Sequence, residues 1–174
     1  MAQLNPNTYM PIDGVYSNIN VSRSDAQAAV VSLFAAGGGD YNLLTRENVT
    51  ITPAFNSLFS ITVNITSEAV SYIYIDKDTA ITATGSSTAY PLADIPINNF
   101  LDDMPFSITA QNITLTANDV NLSLKKGWNS VNTVFTIALT MNLSMEISGI
   151  NGNIRASIGD PSSHKWTLNA LQAP

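Results

Sequence analysis

The sequence predicts an all-β domain: an antiparallel β-sandwich or barrel of about nine or ten strands, with one short helix near the N-terminus. Three observations carry that expectation. Phe135, Ile137, Leu139, Met141, Leu143, Met145 and Ile147 alternate without a break against Thr136, Ala138, Thr140, Asn142, Ser144 and Glu146. A helix would scatter these apolar residues around its axis, whereas a strand sends them all to one face. Turn signals recur roughly every ten residues along the chain, as in sandwiches and barrels. Finally, the polar inventory is 18 Ser, 17 Thr and 19 Asn. Charged residues make up only 11% of the 174, less than half of the usual share of about a quarter.

Taken in order, residues 1–22 carry Pro6, Pro11, Gly14 and several Asn, and read as an extended arm with one edge strand around 14–19. Residues 23–174 read as a single β-domain. Within it, 24–36 reads as the helix. Ser24 caps it, Gln27 completes a capping-box spacing, and Asp25 suits the positive N-terminal end. Val30, Leu33 and Phe34 form one apolar stripe, and Gly37-Gly38-Gly39 ends it. That triple glycine is not a phosphate loop, because no Lys-Ser/Thr follows it and no strand feeds it.

From Glu47 the period switches to two: Phe59, Ile61, Val63 and Ile65 alternate with Ser60, Thr62 and Asn64. Residues 69–76 are rich in β-formers, and 79–84 make a short strand ended by Gly85. Pro91, Pro96 and Pro105 punctuate 90–105, which reads as a long surface loop. Strands resume over 106–116 and 120–124, and Lys125 to Asn129 turn the chain. The alternating segment 135–147 would span roughly 40 Å at ~3.3 Å per residue, long enough that a bend, bulge or split near Thr140 is expected. Asn151-Gly152 has the composition of a type I′ turn. Ile154, Ala156 and Ile158 then alternate on a returning strand, and 164–171 closes the domain.

Composition excludes several functions. The net charge is −6 with seven basic residues, and no basic cluster exceeds Lys125-Lys126. Neutralising several phosphates is what binds nucleic acid, so none is expected as a partner. Docking on anionic lipid through a polybasic segment is excluded on the same ground. With no Cys, thiol catalysis, disulfides and Cys-type zinc sites fall together, and no cofactor is expected. No apolar run reaches the ~18 residues of a membrane helix, and a membrane barrel would need more alternating segments and aromatic girdles. The chain is therefore expected not to span a membrane. No signal peptide is visible, so export implies that a leader has been trimmed.

Each candidate site carries a plainer reading beside it. His164, the only histidine, lies in a Ser-Ser-His-Lys turn and reads as a solvated loop side chain rather than a base. No Gly-x-Ser-x-Gly elbow accompanies the abundant Ser. An enzyme is not expected. Asp76 and Asp78 flank Lys77 and would face the same way on a strand, as hard oxygen ligands for calcium; a hairpin turn explains them as well. Asp102-Asp103 is a second acidic doublet. Trp128, Tyr90 and Asn129 are candidates for a sugar-stacking platform, with Tyr72, Tyr74 and Trp166 as further aromatics, although mid-strand tyrosines ordinarily pack. Six Asn-x-Ser/Thr triplets begin at Asn20, Asn48, Asn64, Asn112, Asn121 and Asn142, close to what this composition produces by chance.

Residues 122–131 (LSLKKGWNSV), preceded by 72–79 (YIYIDKDT), resemble a pattern in secreted lipoproteins of spirochaetes and Bacteroidetes. There a Lys-x-Gly-Trp-Asn turn links two strands of a sandwich or barrel. The match covers about a third of the chain, and the lipobox cysteine of such proteins is missing here. The resemblance implies a signal-cleaved ectodomain with a lipid anchor on the full-length protein, and it brings no catalytic residue with it. The reading is a non-enzymatic cell-envelope domain, at the surface or in the periplasm, that binds or scaffolds an unknown protein or glycan. The alternatives are a structural component of a phage or extracellular fibre, and a carbohydrate-binding module.

Overall fold

The computed structural model of the chain describes residues 1–5, 15–31, 33–37, 40–92, 107–161 and 164–170. Fourteen strands make up most of this, and no α-helix occurs among the described residues. They are β1 (Ala2–Gln3), β2 (Tyr16–Val21), β3 (Gln27–Val31), β4 (Leu33–Gly37), β5 (Asp40–Ser57), β6 (Ser60–Ile75) and β7 (Thr79–Gly85). There follow β8 (Ser87–Pro91), β9 (Ser107–Ile108), β10 (Asn112–Ala117), β11 (Val120–Leu124), β12 (Gly127–Asn142), β13 (Glu146–Ile158) and β14 (Lys165–Ala170).

Eleven strands form one large sheet with the path β1-β3-β6-β12-β13-β10-β8; β5 continues the edge that β3 begins on β6, and β4 and β14 pair with β5. The remaining three make a small sheet in the order β11-β7-β2. Pairing is mixed: most neighbours are antiparallel, but β9 and β10 run parallel to β13. Four strands form the spine. β5 pairs with β6 from Arg46 to Ser57, β6 pairs with β12 from Ser60 to Ile75, and β12 pairs with β13 from Val131 to Met141.

Directly opposed residues share a face, so the registers sort the spine into two sides. Phe55, Ile61, Met141 and Ile147 form one cross-strand row, and Pro53, Val63, Leu139 and Ile150 the next. This apolar face is covered in two places. At its base, Ile73, Ile75 and Val131 meet Ile81 of β7 and Leu122 and Leu124 of β11 in the first core, where the small sheet packs on the large one. Farther out, Ile147 and Ile150 are closed over by Ile113, Leu115, Tyr90, Leu92 and Ile108 in a second core. Ile75, Ile81, Ile147 and Ile154 are fully buried, and each such side chain contributes about 1.5–3 kcal/mol.

The helix expected over 24–36 does not form. Ser24 and Asp25 lie in a turn, and Gln27–Val31 and Leu33–Gly37 are strands. The period of two was present in the sequence: Ala26 and Ala28 are buried while Gln27 is exposed. Backbone pairing of 28–31 with 72–75 of β6 supplies hydrogen bonds to the strongest β-forming segment of the chain. That tertiary pairing outweighs the weak helix preference of the alanines. Gly38 and Gly39 lie outside the described residues, as do residues 93–105 of the loop expected over 90–105, whose first two residues, Tyr90 and Pro91, end β8 by pairing with β10 instead.

Two further expectations change. Residues 135–147 are not one strand. β12 shifts register against β13 between Thr140 and Met141, close to the expected irregularity, and then turns through Leu143-Ser144-Met145. Met145 has a φ of 59°, in the left-handed region. Asn151-Gly152 is no turn but the middle of β13, paired with Ala138 and Ile137 on one side and with Thr114 and Leu115 on the other. A Cβ at Gly152 would collide with Leu115 Cδ2. The glycine is there for close approach, the other reason for glycine inside a strand.

Candidate functional site

Three features of the surface have chemistry to offer: an aromatic row, a polar corner and an uncovered apolar face.

The uncovered face begins where the second core ends. That core caps the β12–β13 half of the apolar face, while on the other half Ile61, Val63 and Ile65 of β6 are half-buried and the β5 side chains stand open. Val49 and Ile51 of β5 are more than half exposed, and Phe55 is 79% exposed. At the turn between β5 and β6, Leu58 is 87% exposed and Phe59 70%; at the neighbouring turn between β12 and β13, Leu143 and Met145 are more than half exposed. Phe55, Leu58, Ile61 and Leu143 together line a groove of roughly 410 Å³, so the two turns form one tip. Residues 48–67 and 127–145 contain no charged side chain, although the chain carries a net charge of −6. The opposite face of the same strands is a hydroxyl ladder. Thr62 and Thr140 share a hydrogen bond at 3.3 Å, Thr66 and Thr136 one at 3.1 Å, and Asn56 Nδ2 donates to Thr62 at 2.6 Å.

Toward the base, that second face becomes aromatic. Tyr74 and Trp128 oppose each other across β6 and β12, and their rings meet edge-on at 5.3 Å. Tyr72 stacks on Trp166 at 6.0 Å and donates from its hydroxyl to Asp160 Oδ2 at 2.9 Å. Trp128 is mostly exposed and Trp166 nearly half exposed. The sugar platform expected from Trp128, Tyr90 and Asn129 is not brought together. Tyr90 packs on the second core, on the other face. Asn129 is buried, with its Oδ1 accepting from Lys125 N at 2.8 Å and its Nδ2 donating to the carbonyls of Lys125 and Gly127. It holds the turn into β12, where Gly127 takes a φ of 104°. Trp128 remains, in contact with Tyr74, and the further aromatics Tyr72 and Trp166 pair with each other on the same sheet; of these, only the two mid-strand tyrosines are expected from sequence to pack.

Asp76 and Asp78 sit in the connection that carries the chain from the large sheet to the small one. Asp76 Oδ1 accepts from the backbone N–H of Gln27 at 2.7 Å. Asp78 accepts from the backbone N–H of Lys126 at 2.8 Å and from Lys125 Nζ at 3.0 Å, contacts that hold its carboxyl below the usual range. Lys77 Nζ donates to Asp25 at 2.8 Å and, with Arg23, lowers the Asp25 pKa to about 2. Lysine ammonium groups and backbone N–H groups already meet these carboxylates, which pin the corner between the two sheets. Among the described residues no three His, Asp or Glu side chains gather as a metal-ligand set. Asp102 and Asp103 lie outside the described residues.

His164 is not the solvated side chain expected. Its side chain has no exposed surface, with Nε2 3.2 Å from Glu68 Oε2 and Nδ1 3.2 Å from the Pro161 carbonyl. The Glu68 contact is at ion-pair distance without hydrogen-bond alignment. A base so enclosed cannot meet a substrate in this arrangement. The pair instead fastens the segment before β14 to β6. No helix among the described residues is long and apolar enough to cross a membrane.

No family model matches the chain, and neither the curated proteins nor the solved structures contain a match.

Proposed function

We propose that this chain is a non-enzymatic structural β-protein, a scaffolding block of an exported assembly such as a cell-envelope layer, a phage particle or an extracellular fibre. The uncovered, uncharged apolar face of β5 and β6 carries the reading. A folded chain ordinarily leaves no contiguous apolar patch beyond a few hundred Å², and larger ones mark interaction sites. The hydroxyl and amide surface and the absence of Cys fit an exported protein whose stability owes nothing to redox conditions. The two sheets read as halves of an open sandwich, with the long hairpins projecting past the small sheet as the attachment element. The Lys-x-Gly-Trp-Asn turn favours the envelope among these settings.

Fractionation of the source cells or particles tests this. The native chain should sediment with the particulate fraction, and a Phe55→Asp chain should be released from it. A native chain found only as a free soluble species overturns the proposal.

The aromatic row supports a second reading, glycan binding, with Trp128 and Trp166 as stacking surfaces and Asp160 beside them. A glycan array in which binding disappears with Trp128→Ala favours it; an empty array removes it.

A further inference from the structure

We infer that the open face of β5 and β6 is closed in solution by the same face of a second copy of this chain, packed face to face. The inference rests on the scaffolding reading and names the partner that the surface fits first.

Area comes first. The seven largely exposed apolar side chains of β5 and the two turns, Val49, Ile51, Phe55, Leu58, Phe59, Leu143 and Met145, present on the order of 1,000 Å², judged from the size of such side chains. A stable complex buries about 800 Å² on each partner, so one such face meeting its own copy suffices. Charge comes second. Two copies each carrying a net charge of −6 repel, and a contact between them is favourable only where neither brings charge to it. Residues 48–67 meet that condition over their whole length. A basic or acidic partner would find nothing there to pair with. A second copy brings a surface that is equally neutral, and a two-fold axis makes one patch serve both sides.

The mode of contact follows from Pro53. Among the described residues β5 is an edge strand over 48–57, with β6 as its one strand neighbour there. Such an edge invites strand addition through its free backbone groups. Pro53 stands in the middle of that stretch, within a ladder that runs from Arg46 to Phe55 against β6. A proline persists inside a ladder only where its nitrogen points away from the partner strand, so the donor it lacks is missing from the open edge. The edge is blunted while the face is bare, and the second copy is therefore held by side chains. At the tip, the groove between Phe55, Leu58, Ile61 and Leu143 gives that contact its centre.

Light scattering and sedimentation equilibrium on the full chain test this. The expected result is a two-copy species at micromolar concentration. Phe55→Asp and Leu58→Asp, both at highly exposed positions, should each weaken it by roughly thirty-fold or more, as for a central contact residue. Unchanged far-UV circular dichroism and melting temperature show that the variants are folded. Thr52→Lys, exposed on the opposite face of β5, should leave the dissociation constant within about three-fold, the small change expected of a residue outside the contact. A marked weakening would mean that the copies meet through the edge or the hydroxyl face, and would overturn the face-to-face mode. A native chain that stays monomeric at about 100 μM, a concentration that detects even weak association, overturns the inference. If that monomer still sediments with the particulate fraction through Phe55, the scaffolding reading stands with a different partner; if it does not, both fall.

Discussion

A methyl group added at Gly152 should destabilise the protein, and the amount can be worked out from its neighbours. The new Cβ would collide with Leu115 Cδ2 and stand 3.4 Å from Phe135 Cε2. To restore ordinary contact, Leu115 must retreat by on the order of 1 Å. It packs against the second core beside Ile113, Ile147 and Ile150, all buried, so room is scarce. Overpacking of this kind costs about 1–3 kcal/mol. Removing a glycine from a strand interior returns about 0.5–1 kcal/mol. The net loss is about 1–2 kcal/mol, a fall in Tm of roughly 2–8 °C for a domain of this size. Thermal and urea unfolding of Gly152→Ala measure it. The double variant with Leu115→Ala supplies the control: the obstacle is gone, and the penalty of Gly152→Ala should largely vanish in that background. Were Asn151-Gly152 a hairpin turn, the alanine would strain a positive φ whatever residue 115 was. A Gly152→Ala chain as stable as the native one, or strict additivity with Leu115→Ala, refutes the packing account.

Other perturbations discriminate further. Gly85→Ala should cost more than Gly152→Ala in the same unfolding assay, because its Cβ would meet the Ala117 carbonyl, which is backbone and cannot rotate away. Asn129→Ala removes three hydrogen bonds from a buried turn and should cost about 2–3 kcal/mol by urea unfolding, since Lys125 N–H and C=O lose their partner. For Asp25, the hydrogen bond from Lys77, then that from Arg23, hold the folded pKa at about 2 against the ordinary 3.8. The ionised form is thus the favoured one in the fold, its stabilisation present above pH 3.8 and lost as pH falls through 2. The Tm difference between native protein and Asp25→Asn should therefore shrink between those pH values; a gap that stays constant down to pH 2 contradicts the Lys77–Asp25 contact.

How far the fold could be read from sequence depended on whether pairing or local preference decided each element. β6, β7, β11 and β12 were legible because β-branched residues and the period of two agreed with the final pairing. β3 and β4 were not, because Ala28, Ala29, Ala35 and Ala36 are locally suited to a helix and become strands only by pairing with β5 and β6. Asn151-Gly152 misled because the dipeptide has two uses, and the neighbour that selects between them, Leu115, is distant in sequence. Of the site, Trp128 was legible as an exposed aromatic. Tyr72, Tyr74 and Trp166 were legible as further aromatics but their arrangement was not, since whether Tyr72 packs inward or lies beneath Trp166 depends on β14 reaching β5. His164 read as solvated because the side chain it meets, Glu68, is far away in the chain.

The apolar face shows a deeper limit of periodicity. Alternation establishes that one side of a strand avoids water, but not which molecule provides the cover. On β12 and β13 the cover is internal: Ile147 and Ile150 meet β8, β10 and the residues around Ile108. On β5 the same pattern continues, row for row, into side chains left in solvent, with Ile61, Val63 and Ile65 of β6 half-buried between the two. The two halves are indistinguishable in sequence because the physical demand is the same, an apolar side chain removed from water at about 25 cal/mol per Å². They differ in mutational consequence. Ile150→Asp would bury a charge in the protein's own core and unfold it. Phe55→Asp would place a charge in solvent, leave the monomer folded and disturb only what docks there. A pair of residues on one face of one sheet, equally apolar and separated only by what covers them, thus separates the fold from the proposed assembly in a single experiment.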